Sequence, residues 1–180
     1  MIIIKILYFL LPAYFSNMAP IIFRRAFNFL ALPLDFGKTL GGNRLFGENK
    51  TIRGFVAGVI LAIFIAGLQK ILYLNFDFFK EISLINFSSI NFILVGFLLG
   101  FGALFGDLFE SFIKRRIGKK PSEPWKFFDQ TDYIVGALFF IYPIYRVDFL
   151  GIMIALIFSF FLTVITNHLS YAIKARDEKW

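Results

Sequence analysis

Apolar residues occupy this chain in long blocks, not in the short bursts that line a soluble core. Crossing the hydrocarbon core of a bilayer takes about 20 apolar residues. Five segments reach or approach that length: 2–23, 55–74, 92–109, 133–145 and 149–166. Each is predicted to be a membrane helix. The fourth is the shortest; it is expected to begin within the polar residues before it, and a turn at 146–148 joins it to the fifth. The first places Lys5 ahead of an apolar run, as a signal peptide does. However, Ser16-Asn-Met-Ala-Pro20 makes a poor cleavage site and Pro12 interrupts the run, so the segment reads as a retained span. The expected architecture is an all-α integral membrane protein of about five transmembrane helices, forming a single domain over residues 1–180. Small residues four apart, at Gly54/Gly58, Gly96/Gly100 and Gly102/Gly106, let the second and third spans approach their neighbours closely.

Composition agrees with the pattern. Hydrophobic residues make up 58% and charged residues 17%, where a soluble domain has nearer half and a quarter. Mean hydropathy is +0.74. The absence of Cys excludes a thiolate zinc site and a cysteine nucleophile, and one His excludes a multi-histidine metal site. Of the 19 Lys and Arg, fifteen fall between spans one and two, between spans three and four, or after span five. The positive-inside rule therefore puts the N-terminus outside and the C-terminus in the cytoplasm, in a cell (plasma) membrane. In so apolar a chain the charge surplus marks the cytoplasmic face; no nucleic-acid partner is expected. Trp125 and Trp180 read as interface anchors.

Nearly all reactive side chains lie on the cytoplasmic side. The segment 32–54 is rich in Gly, basic and amide residues, and places Lys50, Thr51 and Arg53 at a helix start. Freed backbone amides and these cations suit a polyphosphate; a basic loop touching anionic lipid is the alternative. The P-loop pattern fails, because two residues too many separate Gly47 from Thr51 and no strand precedes it. The third span leaves the bilayer as Gly106-Asp-Leu-Phe-Glu-Ser-Phe-Ile-Lys-Arg-Arg116, which sets Asp107, Glu110, Ser111, Lys114 and Arg115 on one helical stripe. A cation site beside an anion site is one reading; a Glu110–Lys114 pair with an interfacial Asp is the other. Asp129 and Asp132 share a face at the next helix start, either as Mg²⁺ ligands or as dipole-stabilising acids with Asp129 as N-cap. Asn17, Asn167 and His168 read as packing or interfacial residues.

The combination Gly106-Asp-Leu-Phe-Glu-Ser-x-Ile-Lys-Arg115 resembles the signature of the CTP-dependent lipid cytidylyltransferases, the family of phosphatidate cytidylyltransferase. Lys50-Thr-x-Arg-Gly54 is similar to that family's Lys-Thr-x-Glu-Gly stretch, with Arg53 replacing the glutamate. Asp129-Gln-Thr-Asp132 falls where the family carries Asp-Arg-x-Asp. The short segment between Lys120 and Asp129, its lack of a His-Gly-Gly tripeptide, the Leu32-Pro-Leu-Asp-Phe-Gly-Lys38 loop and the small five-span size resemble the archaeal branch, the CDP-archaeol synthases. The resemblance implies CTP and a lipid glycerol phosphate of the 2,3-bis-O-geranylgeranyl-sn-glycerol 1-phosphate type as substrates, a CDP-lipid and pyrophosphate as products, Mg²⁺ as cofactor, and membrane lipids as surroundings. It also allows a homodimer. Matched residue by residue, the acids are Asp107, Asp129 and Asp132, expected as metal ligands. Lys114 joins them as a catalytic residue, with Lys50, Thr51, Arg53, Ser111 and Arg115 binding CTP and the lipid phosphate. Phosphatidic acid or another lipid phosphate is the competing substrate, and a small transporter or channel using Asp107 and Glu110 is the competing class.

Overall fold

The computed structural model describes residues 1–24, 27–120 and 123–172. Arg25, Lys174, Arg176, Lys179 and Trp180, which entered the charge and anchor arguments, lie outside the described residues. The chain forms α1 (Ile2–Ile22), a 3₁₀ turn (Asn28–Leu30), a hairpin of β1 (Thr39–Leu40) and β2 (Asn43–Arg44), then α2 (Ile52–Asn75), α3 (Asp77–Ile82), α4 (Phe92–Arg116), α5 (Phe128–Ile141) and α6 (Phe149–Ala172). The architecture is mostly helical, and four of the helices (α1, α2, α4, α6) are long and apolar enough to cross a membrane.

Three details depart from expectation. Helix α4 runs seven residues past the apolar segment, because its charged end keeps its backbone hydrogen bonds and places Lys114, Arg115 and Arg116 at the negative pole of the helix dipole. Helix α5 has 14 residues, fewer than a full crossing needs; as expected it starts in the preceding polar segment, at Phe128. The glycine-rich loop contains a hairpin, an exception to the all-α expectation. Its strands pair Thr39 with Arg44 and Leu40 with Asn43, and Gly41 and Gly42 between them have φ of +58° and +80°, the left-handed pair that a two-residue turn demands.

Local signals explain the helix starts. The Thr51 hydroxyl accepts from the Gly54 amide at 3.2 Å to cap α2, and Asn91 accepts from the Ile93 amide at 2.9 Å to cap α4. Asp148 accepts from the Gly151 amide at 3.0 Å where α6 begins.

Helix α4 is central, because its glycines admit other backbones. Across its contact with α2, Gly96 has Ile63 and Ala66 where a side chain would stand, and Gly100 lies against Ala62. The Ser16 hydroxyl of α1 donates to the Gly100 carbonyl at 3.1 Å. Against α5 the approach is backbone to backbone: a Cβ on Gly102 would meet the Gly136 carbonyl at 2.6 Å, and one on Gly106 would strike the Asp132 carbonyl. The expected small-residue spacing thus serves helix packing. Ile6, Leu10, Leu99, Ala103, Ile134 and Ile141 fill the interior between α1, α4 and α5, while Ile60, Phe64, Phe139, Phe161 and Ile165 point outward as an apolar surface fit for lipid.

This packing makes Gly136 hard to replace. Alanine is intrinsically the better helix former by about 1 kcal/mol, but its methyl would strike the Gly102 carbonyl and the Gly106 backbone, and overpacking costs about 1–3 kcal/mol. Gly136→Ala is expected to lower the thermal unfolding midpoint of the detergent-solubilised protein. Gly67→Ala, whose methyl meets only the Phe92 ring at 3.2 Å, is expected to change it little.

Candidate active site

One end of the bundle holds a cavity of about 310 Å³, within the range of small-molecule sites. Five parts of the chain build it. The last turns of α1 give Asn17, Pro20 and Ile21; the loop before α2 gives Phe46, Gly47, Asn49 and Lys50; α4 gives Asp107, Glu110, Ser111, Lys114 and Arg115; the start of α5 gives Asp129, Gln130 and Asp132; α6 gives Thr163 and Asn167. The stripe expected on α4 does face one space. The α4–α5 glycine contact brings Asp132 beside it, so acids from two separate helix ends share the cavity.

Charge in the cavity is paired across elements. The Lys50 ammonium donates to both Asp107 carboxylate oxygens, at 2.6 and 2.7 Å, and Lys114 donates to Asp129 at 2.9 Å. Asp129 uses its other oxygen to accept from the Trp125 amide at 2.7 Å. It therefore folds back on the preceding segment; the residue in the N-cap position is Phe127. Burial works against the Lys50 charge, and the Asp107 carboxylate outweighs it, holding the ammonium above the ordinary lysine range. The expected Glu110–Lys114 pair is present at 3.4 Å, yet Glu110 Oε1 is buried without a hydrogen-bond partner. Buried acceptors left in this state are costly, and they recur where a ligand completes the site.

Four carboxylates face three basic side chains in the lining. With all of them ionised, the wall is slightly negative and would repel a polyanion. Among the described residues, no three acidic or histidine side chains form a ready-made metal cage. The trio Asp107, Asp129 and Asp132 is gathered at one cavity, with the first and second each held by a lysine. Hard carboxylate oxygens, among them a buried Glu110 oxygen that lies 3.4 Å from Lys114 without a hydrogen bond, fit a Mg²⁺ ion, which is ordinarily bound by one or two carboxylates and completed by substrate phosphates.

Two sequence candidates stand elsewhere. Arg53 does not line the cavity; helix α2 starts at Ile52, and the first turn carries Arg53 toward the 3₁₀ turn, where its Nη1 donates to Asn28 at 3.1 Å. Thr51 is occupied as the α2 cap and borders a separate recess of about 50 Å³ behind the Lys50–Asp107 pair. His168 turns to the Val164 carbonyl of its own helix, at 2.7 Å. Conversely, Asn17 and Asn167 line the cavity, as do Glu110, Gln130 and Phe46. Glu110 was legible on the α4 stripe, and Gln130 within the Asp129–Asp132 motif.

Asp35 lies in the 32–38 loop that carries part of the family resemblance and was not expected as a site residue, yet it organises the loop. Its buried carboxylate accepts from the amides of Gly37, Phe46 and Gly47 at 3.0–3.3 Å and from the Arg44 guanidinium at 2.5 and 3.3 Å. Burial alone would raise this carboxyl, but Arg44 and the three amides outweigh burial and bring it down to about 2. A carboxyl depressed in the folded state stabilises the fold above its unfolded pKa of about 3.9, and that contribution fades as pH falls toward 2. Asp35→Asn is expected to lower thermal stability at pH 7, with the gap from wild type narrowing between about pH 4 and 2. Paired melting curves across that range check it.

Known proteins match the chain along nearly its whole length. Residues 1–180 match the CarS-like family, described as CDP-archaeol synthase. The chain is 35% identical over 179 residues to the CDP-archaeol synthase of Pyrococcus furiosus, covering 99% of this chain and 98% of that one. It is 37% identical to the CDP-archaeol synthase of Methanopyrus kandleri, covering 98% of this chain and 92% of that one. A solved structure of an intramembrane enzyme of archaeal membrane lipid biosynthesis superposes with a TM-score of 0.72 at 27% identity, covering 89% of this chain and 90% of that one. With an acid- and base-lined cavity at a bundle end and matches along its whole length, the chain belongs to the CDP-archaeol synthase family.

Proposed function

We propose that CTP and the phosphate of an archaeol-type glycerol lipid react in this cavity, giving CDP-archaeol and pyrophosphate. The observation that carries the reading is the meeting of carboxylates and lysines from α4, α5 and the 32–51 loop at one end of an apolar bundle. The lipid's phosphate oxygen attacks the α-phosphorus of CTP, and the bond from the α-phosphorus to the bridging oxygen breaks to release pyrophosphate. A phosphate monoester has its second pKa near 6 and is largely dianionic at neutral pH, so no protein base is needed. The obstacle is repulsion between polyanions, and positioned positive charge overcomes it.

Lys50, Lys114 and Arg115 would neutralise the phosphates, and the Ser111 hydroxyl would donate to one of them. Asp129 and Asp132, with Asp107 or the Glu110 carboxylate, would hold Mg²⁺. When bound, the ion supplies positive charge beside that of Lys50, Lys114 and Arg115. Approach of the triphosphate would draw Lys50 and Lys114 from Asp107 and Asp129, freeing those carboxylates. Asn17, Thr163 and Asn167, on helices that face lipid, would border the lipid headgroup.

Five membrane helices, with α5 as a short crossing begun at Phe128, and the cavity on the cytoplasmic side are the arrangement supported by the loop charges. The site then opens where CTP is available. A homodimer is compatible with it.

Asp129→Asn is expected to abolish pyrophosphate release while leaving the helical circular dichroism intact. Lys50→Ala is expected to slow turnover by ~10²–10³-fold, by analogy with loss of one transition-state donor. Chelation should stop wild-type turnover and Mg²⁺ restore it. Full activity of Asp129→Asn would remove the metal assignment. Supplying ether-linked and ester-linked lipid phosphates separately, and reading pyrophosphate from each, tests the lipid assignment.

A further inference from the structure

The cavity's wall away from the lipid-facing helices is the loop running from the hairpin into α2, through Phe46, Gly47, Asn49 and Lys50. Helices form the other walls. The loop wall is held by backbone pairing of residues 32–34 with 50–52 and by the Lys50–Asp107 contact; two further side chains order the hairpin that leads into it. Asp35 gathers the loop from within, closing residues 35–47 around one carboxylate. The second is Arg116, the last residue of α4, which lies outside the cavity lining. Its Nη1 donates to the Leu40 carbonyl at 2.6 Å, and its Nη2 to the Asn43 and Arg44 carbonyls at 3.0 and 2.7 Å. The guanidinium also covers the Phe112 ring of the same helix at 5.1 Å, and that ring meets the cavity-lining Phe46 at 6.5 Å.

One side chain therefore joins both strands of the hairpin to the helix that carries Asp107, Ser111 and Lys114. Water would satisfy exposed hairpin carbonyls equally well, so solvation alone does not call for this arrangement. Its physical consequence is a second link between the loop wall and α4, beside the Lys50–Asp107 pair. A rigid planar fork suits three carbonyls and an aromatic face, whereas an ammonium on a flexible stem does not.

We propose that Arg116 is a positioning residue for the nucleotide: by clamping the hairpin to the end of α4, it holds the 46–50 wall at the spacing a nucleoside triphosphate spans, and so sets affinity for CTP and not for the lipid phosphate. The asymmetry follows from the direction of approach. The lipid headgroup reaches the cavity past α1 and α6, whereas the nucleotide arrives from water, against the loop. This inference rests on the proposal that the cavity takes CTP.

The test is steady-state kinetics of the purified full-length Arg116→Ala and Arg116→Lys variants, varying CTP at saturating lipid phosphate and then the reverse. Amide hydrogen exchange without substrates accompanies it. The KM for CTP is expected to rise ~10-fold or more, because a wall displaced by about 1 Å costs such factors, while the KM for lipid phosphate changes by less than about twofold and kcat by less than about threefold. Arg116→Lys should not rescue, and exchange should quicken within 39–50 while α4 and α5 stay protected. An unchanged CTP KM in Arg116→Ala, full rescue by lysine, or equal rises in both KM values would each overturn the clamp. Should Arg116→Ala not fold, Arg116→Gln and Arg116→Lys carry the same comparison. A wild-type protein that releases no pyrophosphate from CTP would overturn the reading of the cavity and the clamp with it; an active wild type with unshifted variants would overturn the clamp alone.

Discussion

The site depends on one steric constraint, the backbone contact between α4 and α5. At Gly102, Gly106 and Gly136 no Cβ separates the two helices, and the Gly106 position lies against the Asp132 carbonyl. Ordinary helix packing, with axes 8–10 Å apart, would hold the acidic ends further from one another. The close approach brings acids of α4 and α5 to one cavity with Lys50 and Lys114. In this protein the usual membrane rule of small residues between helices has a chemical consequence: it concentrates negative charge.

That concentration needs compensation, and the fold supplies it from the loop before α2 and from α4 itself. Lys50 reaches Asp107 from the entrance of α2, and Lys114 reaches Asp129 across two helices. Each pair is partly buried, where ion pairs seldom add much net stability because desolvation offsets their attraction. Their value here is poise. Pairs of this kind can exchange partners, as the proposed reaction requires of them. Asp35 and Arg116, two residues outside the cavity lining, also order the loop, so cavity shape is set partly by groups that do not line it.

Much of this was legible in the residue pattern. Four of the five expected segments are helices of membrane-crossing length, and the small-residue pairs on α2 and α4 lie at helix contacts. The stripe from Asp107 to Arg115 was readable because helical geometry alone fixes it. Arg53 stands outside the cavity lining because sequence adjacency to Lys50 does not give direction at a helix start; the first turn of α2 carries it to Asn28. Asp35 was missed because a lone aspartate before Phe36-Gly37 looks like any loop residue until the amides of Phe46 and Gly47 converge on it.

The sequence by itself determined what depends on neighbours along the chain: apolar blocks long enough for lipid, charges gathered in alternate loops, caps at helix starts, and one acidic and basic face on α4. Only the tertiary structure decided which partners those charges meet. Asp107 with Lys50, Asp129 with Lys114 and Arg116 with the hairpin join residues 57, 15 and 72–76 positions apart. Local spacing sets the direction of a side chain from its own helix. The distance between two helices is set by the bulk of the residues between them, and here that bulk is three glycine hydrogens.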